Sequence, residues 1–165
     1  MIQTLTIIRF LYPFILIVAF FCLYKKEYRF MKSFMWRMSM YRSGRMFFMS
    51  ILSLLLIFIN WCCCMTDPNI AVAFSSLLTI LLIFRRIMES TLHLLHDRKR
   101  LWFFTILVAM ICYACPFTNS LFHLLFTLCV AAVFYPSERV IRLCENTEYI
   151  KKTDEQLSQI AHEYY

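Results

Sequence analysis

The chain has a single glycine, Gly44. A glycine-rich loop that cradles phosphate needs several, so nucleotide-binding loops of that kind are excluded. Close helix pairing through two glycines four apart is excluded as well. Only four histidines are present, too few for the histidine-rich di-iron membrane oxygenases. The long apolar stretches contain no Asp, Glu or Lys, and their only charged or imidazole side chains are Arg9 and His123. Proton relays and ion pathways usually rest on such groups, so an ion-coupled transporter working alone is not expected.

What is present points to a membrane. Of the residues, 61% are apolar, against about 45–50% in an ordinary soluble domain. The excess sits in runs long enough to meet lipid. All Lys and Arg except Arg9 fall in three segments, 25–45, 85–100 and 139–152. Two joints between apolar runs, Thr66-Asp67-Pro68-Asn69 and Pro116 to Ser120, carry neither Lys nor Arg. This alternation is the positive-inside pattern of a multi-pass protein. The net charge of +7 then suits anionic lipid headgroups on the inner face, and nucleic acid is not an expected partner.

The predicted fold is an all-α integral membrane protein with about five transmembrane helices, namely an N-terminal span and two helical hairpins. The first span, within 1–24, runs from Thr4 or Phe10 to Tyr24, with Arg9 snorkelling in the longer version. Its bulky end, and the Lys25-Lys26 pair that follows, argue against a cleaved signal. A four-span version, with the N-terminal segment lying in the interface, is the alternative. The first hairpin, 46–84, pairs Met46 to Met65 with Ile70 to Phe84. The second, 101–135, pairs Leu101 to Cys115 with Leu121 to Tyr135. Pro and Asn in both joints favour tight antiparallel turns. The N-terminus is then expected outside and the C-terminus in the cytoplasm, with a bacterial inner membrane as the location. Trp61 and Tyr113, and Tyr24, Trp102 and Tyr135, fall where aromatic belts form.

Segment 25–45 is predicted as a basic amphipathic helix in the inner headgroup layer. Phe30, Met31, Phe34, Met35, Met38 and Tyr41 share its apolar arc. Arg29, Lys32 and Arg37, with Ser33, share the other, and the three cations are the expected headgroup contacts. Gly44 is expected where the chain turns into the membrane. In the basic loop 85–100, Glu89, His93 and His96 recur at i, i+4 and i+7, a face that can hold a divalent metal with an open position. Repulsion by Arg85, Arg86, Arg98, Lys99 and Arg100 favours plain solvated side chains there, so no metal is expected.

The tail, 136–165, is soluble in composition. Ser137 is a helix cap, and Thr153 with Gln156 forms a capping box. Leu157, Ile160, Ala161 and Tyr164 make one apolar face, too short to stand alone. A protein partner or a second copy is the expected cover.

Eight cysteines are many for this length. Five gather at the predicted outer face: Cys62, Cys63, Cys64, Cys112 and Cys115. The Cys112-Tyr-Ala-Cys115 spacing suits thiol chemistry, so the rival reading is an outer-face thiol oxidoreductase that passes electrons to a quinone. Against it, Cys112 and Cys115 end a helix, where the dipole disfavours a thiolate. Cysteine as a small apolar packing residue is the simpler expectation. The reading that follows is a non-catalytic accessory, assembly, immunity-type or regulatory subunit without a cofactor.

Overall fold

The computed structural model describes residues 2–23, 29–138, 140, 141 and 144, without the side chains of Arg29 and Pro116. Every regular element among them is helical. The helices are α1 (Ile2–Leu23), α2 (Arg29–Met40), α3 (Arg42–Thr66), α4 (Ile70–Ile83), α5 (Arg85–Asp97), α6 (Lys99–Ala114) and α7 (Asn119–Phe134). A 3-10 turn, Pro116–Thr118, joins the last two.

Local chemistry sets the breaks. Asn69 is extended, and its side chain accepts from Val72 N at 3.1 Å, capping α4 directly after Pro68. Pro116 pushes Cys115 out of the helix, to φ −97° and ψ 116°. Phe84 is extended between α4 and α5, and the two helices meet there at a bend of 100°.

The apolar runs predict five spans, but the helices that form are unequal. Among the described residues only α1 and α3, with 22 and 25 residues, are long and apolar enough to cross a membrane, and α4 with α5 adds a third only as a broken span. The 14 residues of α4 rise about 21 Å, and the 16 residues of α6 and of α7 about 24 Å. A hydrocarbon core is about 30 Å thick. Arg9 lies inside a continuous α1, as in the longer version of the first run.

α7 is the centre of the bundle and packs against α1, α3, α4, α5 and α6. The main core joins Leu52 and Leu56 of α3, Leu92 of α5, and Leu128 and Ala132 of α7. α5 turns its face Met88, Leu92 and Leu95 into this core, at i, i+4 and i+7. The basic helices α2 and α5 meet the bundle at the end where α3 begins and α7 stops. Arg9, Thr66 and the 116–118 turn lie at the other end.

Two expectations for segment 25–45 are corrected. The apolar arc of α2 is largely spent on the protein itself, because Met31, Met35 and Met38 are buried and pack on Phe134, Val140 and Leu52 among others. Unbranched methionine fills such irregular gaps well. Only Phe30 and Tyr41 of that arc remain largely exposed. The chain turns at Tyr41, with φ −109° and ψ 119°, and not at Gly44. Gly44 serves a close approach instead, since a Cβ there would sit 3.0 Å from the Arg37 carbonyl oxygen. Arg45 is buried nearby and donates to the Ser39 carbonyl at 3.1 Å and the Met38 carbonyl at 3.4 Å, closing the end of α2.

Candidate functional site

Polar side chains gather at both ends of α7. At one end, Arg9 of α1 reaches across to α3. Its Nη1 donates to Thr66 Oγ1 at 2.8 Å and lies 4.0 Å from Asp67 Oδ2. One helical turn on, Tyr12 Oη and Thr127 Oγ1 of α7 are 2.7 Å apart. The Thr127 hydroxyl donates to the His123 carbonyl, so the Tyr12 O–H is the donor to Thr127. The His123 ring stands edge-on to Tyr12, with centroids 5.7 Å apart. His123 Nδ1 and Ser120 Oγ are buried without a hydrogen-bond partner among the described residues. Arg9, Asn119 and His123 line a cavity of about 120 Å³. A drug-sized ligand needs about 300 Å³ or more, whereas a water takes about 30 Å³, so this space suits a few waters. Chemically it is a polar tie between α1, α3 and α7.

At the other end, Glu89, His93 and His96 do share one face of α5, as their spacing predicts. That face is covered by the end of α7 and is not open to solvent all round. The Tyr135 O–H donates to Glu89 Oε1 at 3.3 Å, and the His93 ring stands edge-on to Tyr135 at 4.9 Å. His96 Nδ1 lies 2.8 Å from the Ala132 carbonyl, so that nitrogen carries the proton and donates. The three side chains thus all engage the end of α7, Glu89 and His93 at Tyr135 and His96 at Ala132, and do not converge on one point. Among the described residues, no three His, Cys, Asp or Glu side chains are placed to hold a metal ion.

Burial lowers the His93 pKa from its ordinary 6.5, and this outweighs the opposite pull of the Asp97, Glu89 and Glu138 carboxylates. Well above pH 6.5 the imidazole is neutral whether the chain is folded or unfolded, so pH has no leverage through it there. As pH falls below that value, the unfolded chain takes up a proton that the folded chain resists, and stability drops. The melting midpoint in detergent should therefore fall from about pH 7 to about pH 5.5, and fall less in His93→Gln. Equal slopes for the two proteins would remove His93 as the cause.

Every cysteine among the described residues is a free thiol. Cys62 and Cys63 are buried, and Cys62 packs with Leu5, Tyr12 and Ile59. Cys64 and Cys115 are exposed, and Cys112 is half-buried. The two groups sit at the end of α3 and at and just past the end of α6, and both helices pack on α7. Cys129 is buried in α7, and its carbonyl accepts from Trp102 Nε1 of α6 at 3.0 Å.

Of the residues expected at lipid headgroups, Arg37 is exposed and Lys32 half-buried. Arg29 opens α2. Leu157, Ile160, Ala161 and Tyr164 lie outside the described residues. The Ser137 cap is present, with its Oγ accepting from Val140 N at 3.4 Å. Sequence reasoning did not find the Tyr12–Thr127 pair or the Asn60 bridge. Asn60 Nδ2 donates to Ser76 Oγ, and Ser75 Oγ donates to Asn60 Oδ1, each at 2.7 Å. The available signal was a polar side chain at the same depth in two neighbouring apolar runs.

No family model, no curated protein and no solved structure matches this chain.

Proposed function

We propose that this is a five-span integral membrane protein that acts without catalysis of its own, as an accessory or assembly subunit. In this reading α1, α3, α4, α6 and α7 are embedded, and α2 and α5 lie at the cytoplasmic face. The N-terminus is outside and the C-terminus is inside. The observation that carries the reading is how polar and apolar groups are divided. The interior polar groups named above bond helix to helix, through Arg9–Thr66, Tyr12–Thr127, Asn60–Ser75 and Trp102–Cys129. The outward faces present large apolar side chains, such as Leu54, Phe74, Phe103 and Leu107. Lipid covers such faces at no cost, and polar bonds then specify the packing. The basic residues of α2 and α5 share one end of the bundle, as a cytoplasmic face requires.

The partner surface is the tail face Leu157, Ile160, Ala161 and Tyr164, which meets a protein partner or a second copy. Leu157→Asp with Ile160→Asp is expected to abolish co-purification of that partner, or self-association, while the chain still sediments with carbonate-washed membranes. Unchanged association would reject the tail as the contact.

The rival reading, thiol oxidation, draws support from Cys115, which is exposed and off the helix three residues after Cys112. Closing that pair would release two electrons and two protons to a quinone, leaving a disulfide and a quinol. A membrane-impermeant maleimide applied to sealed, right-side-out vesicles separates the readings. The packing reading expects Cys115 and Cys64 to label without reduction, and Cys62 and Cys63 to stay unlabelled. Labelling of Cys115 only after reduction would put the oxidoreductase first.

A further inference from the structure

A groove of about 640 Å³ runs between α2 and α3. Its α2 wall includes Phe30, Phe34 and Arg37, and its α3 wall includes Phe47 and Ile51. Phe30 and Phe47 stand at its edges and are 70% and 69% exposed, so the groove is open along its apolar side. The apex is fixed by Gly44, whose missing side chain lets α3 start against the Arg37 carbonyl. The size lies within the range of pockets that hold molecules of drug size, well above a water or a bare ion. The charge on the two helices that form it has one sign. From residue 29 to residue 66 the chain carries Arg29, Lys32, Arg37, Arg42 and Arg45 and no Asp or Glu. Arg45 is buried and bonded to the end of α2, whereas Arg37 and Arg42 are exposed. The groove therefore joins an apolar channel along α3 to a cationic end beside the last turn of α2.

We propose that this groove is a site for one anionic phospholipid, with its phosphate at Arg37 and an acyl chain along Phe47 and Ile51. The proposal rests on reading α3 as a membrane span. It differs from general attraction to a charged surface, because it assigns one lipid to one cleft. Charge complementarity selects the occupant: an apolar peptide would leave Arg37 unpaired, whereas a lipid phosphate pairs it, in two parallel bonds if the guanidinium engages fully. Zwitterionic lipid carries the same phosphate, but its own cation competes for it.

The test uses the full chain in neutral detergent and native mass spectrometry. The probes are phosphatidylglycerol and phosphatidylcholine with identical acyl chains. The unmodified protein should keep one phosphatidylglycerol in preference to phosphatidylcholine. Arg37→Gln should weaken that adduct roughly tenfold, about the worth of one charge-assisted hydrogen bond. Arg98→Gln, in the basic segment 85–100, should leave it unchanged. Ile51→Trp, which fills the channel while keeping Arg37, should also remove it. Equal retention of the two lipids, equal loss in Arg37→Gln and Arg98→Gln, or a lipid-free dimer as the main species would each overturn the site. Extraction of the unmodified protein by carbonate is a separate result, and it would overturn the membrane reading itself.

Discussion

Tyr135→Ala is expected to lower stability by about 3–5 kcal/mol, the largest effect of any single truncation considered. The side chain is fully buried at the point where α7 stops. It belongs to the main core with Leu92 and Met88 of α5, and its ring meets Phe48 of α3 at 6.2 Å and His93 at 4.9 Å. Deleting it removes the wall against which α5 lies and leaves Glu89 without its hydroxyl donor. Tyr135→Phe keeps the ring and loses only that bond, at about 1 kcal/mol. The measurement is the unfolding midpoint in a denaturing-detergent titration for the three proteins. A large loss in Tyr135→Phe would mean that the hydroxyl matters more than packing. A small loss in Tyr135→Ala would mean that α5 does not dock as described. The alanine variant should also wet His93, so its titration should move back towards 6.5.

The second large effect is a contrast within one helix. Leu56→Ala should cost about 2–5 kcal/mol, and Leu54→Ala well under 1 kcal/mol. Leu56 is 1% exposed in the main core, whereas Leu54, half a turn away, is 67% exposed. In lipid there is little hydrophobic gain from moving a leucine between neighbours, because acyl chains are as apolar as leucine. The cost at Leu56 comes from the cavity and the lost dispersion contacts. At Leu54, lipid or detergent fills the space at once. Equal costs at both positions would mean that α3 is rotated about its axis relative to this structure.

This contrast marks the limit of what the sequence discloses. Four helices could be read closely: α3, α4, α6 and α7 start and stop within a few residues of the apolar runs. Charges, Pro116 and the Pro68-Asn69 joint punctuate those runs, and punctuation is local chemistry. The inward face of each run was not readable, because a helix that is apolar nearly all round has no stripe to mark its buried side. The polar ties were out of reach for a related reason. Arg9 meets Thr66 across 57 positions and Tyr12 meets Thr127 across 115, and nothing in either neighbourhood names its partner. In α2 the apolar arc was visible but its destination was not, since methionine fits lipid and protein alike. The spacing of Glu89, His93 and His96 puts the trio on one face of α5 once 85–97 is a helix. The cover that Tyr135 provides depends on where α7 ends in space.

The unequal helix lengths have a consequence for the membrane itself. α3 rises about 37 Å along its 25 residues, whereas α4, α6 and α7 rise about 21–24 Å. In the five-span reading proposed above, the embedded bundle would be a wedge, thick along α1 and α3 and thin along α4 and α6. A bilayer meeting the thin flank must pinch inward, at a fraction of a kcal/mol for each ångström of mismatch. That strain is relieved when two thin flanks abut or when the surrounding lipid has short chains. Bilayer thickness would then govern where this protein settles and how closely its copies cluster, without any ligand taking part.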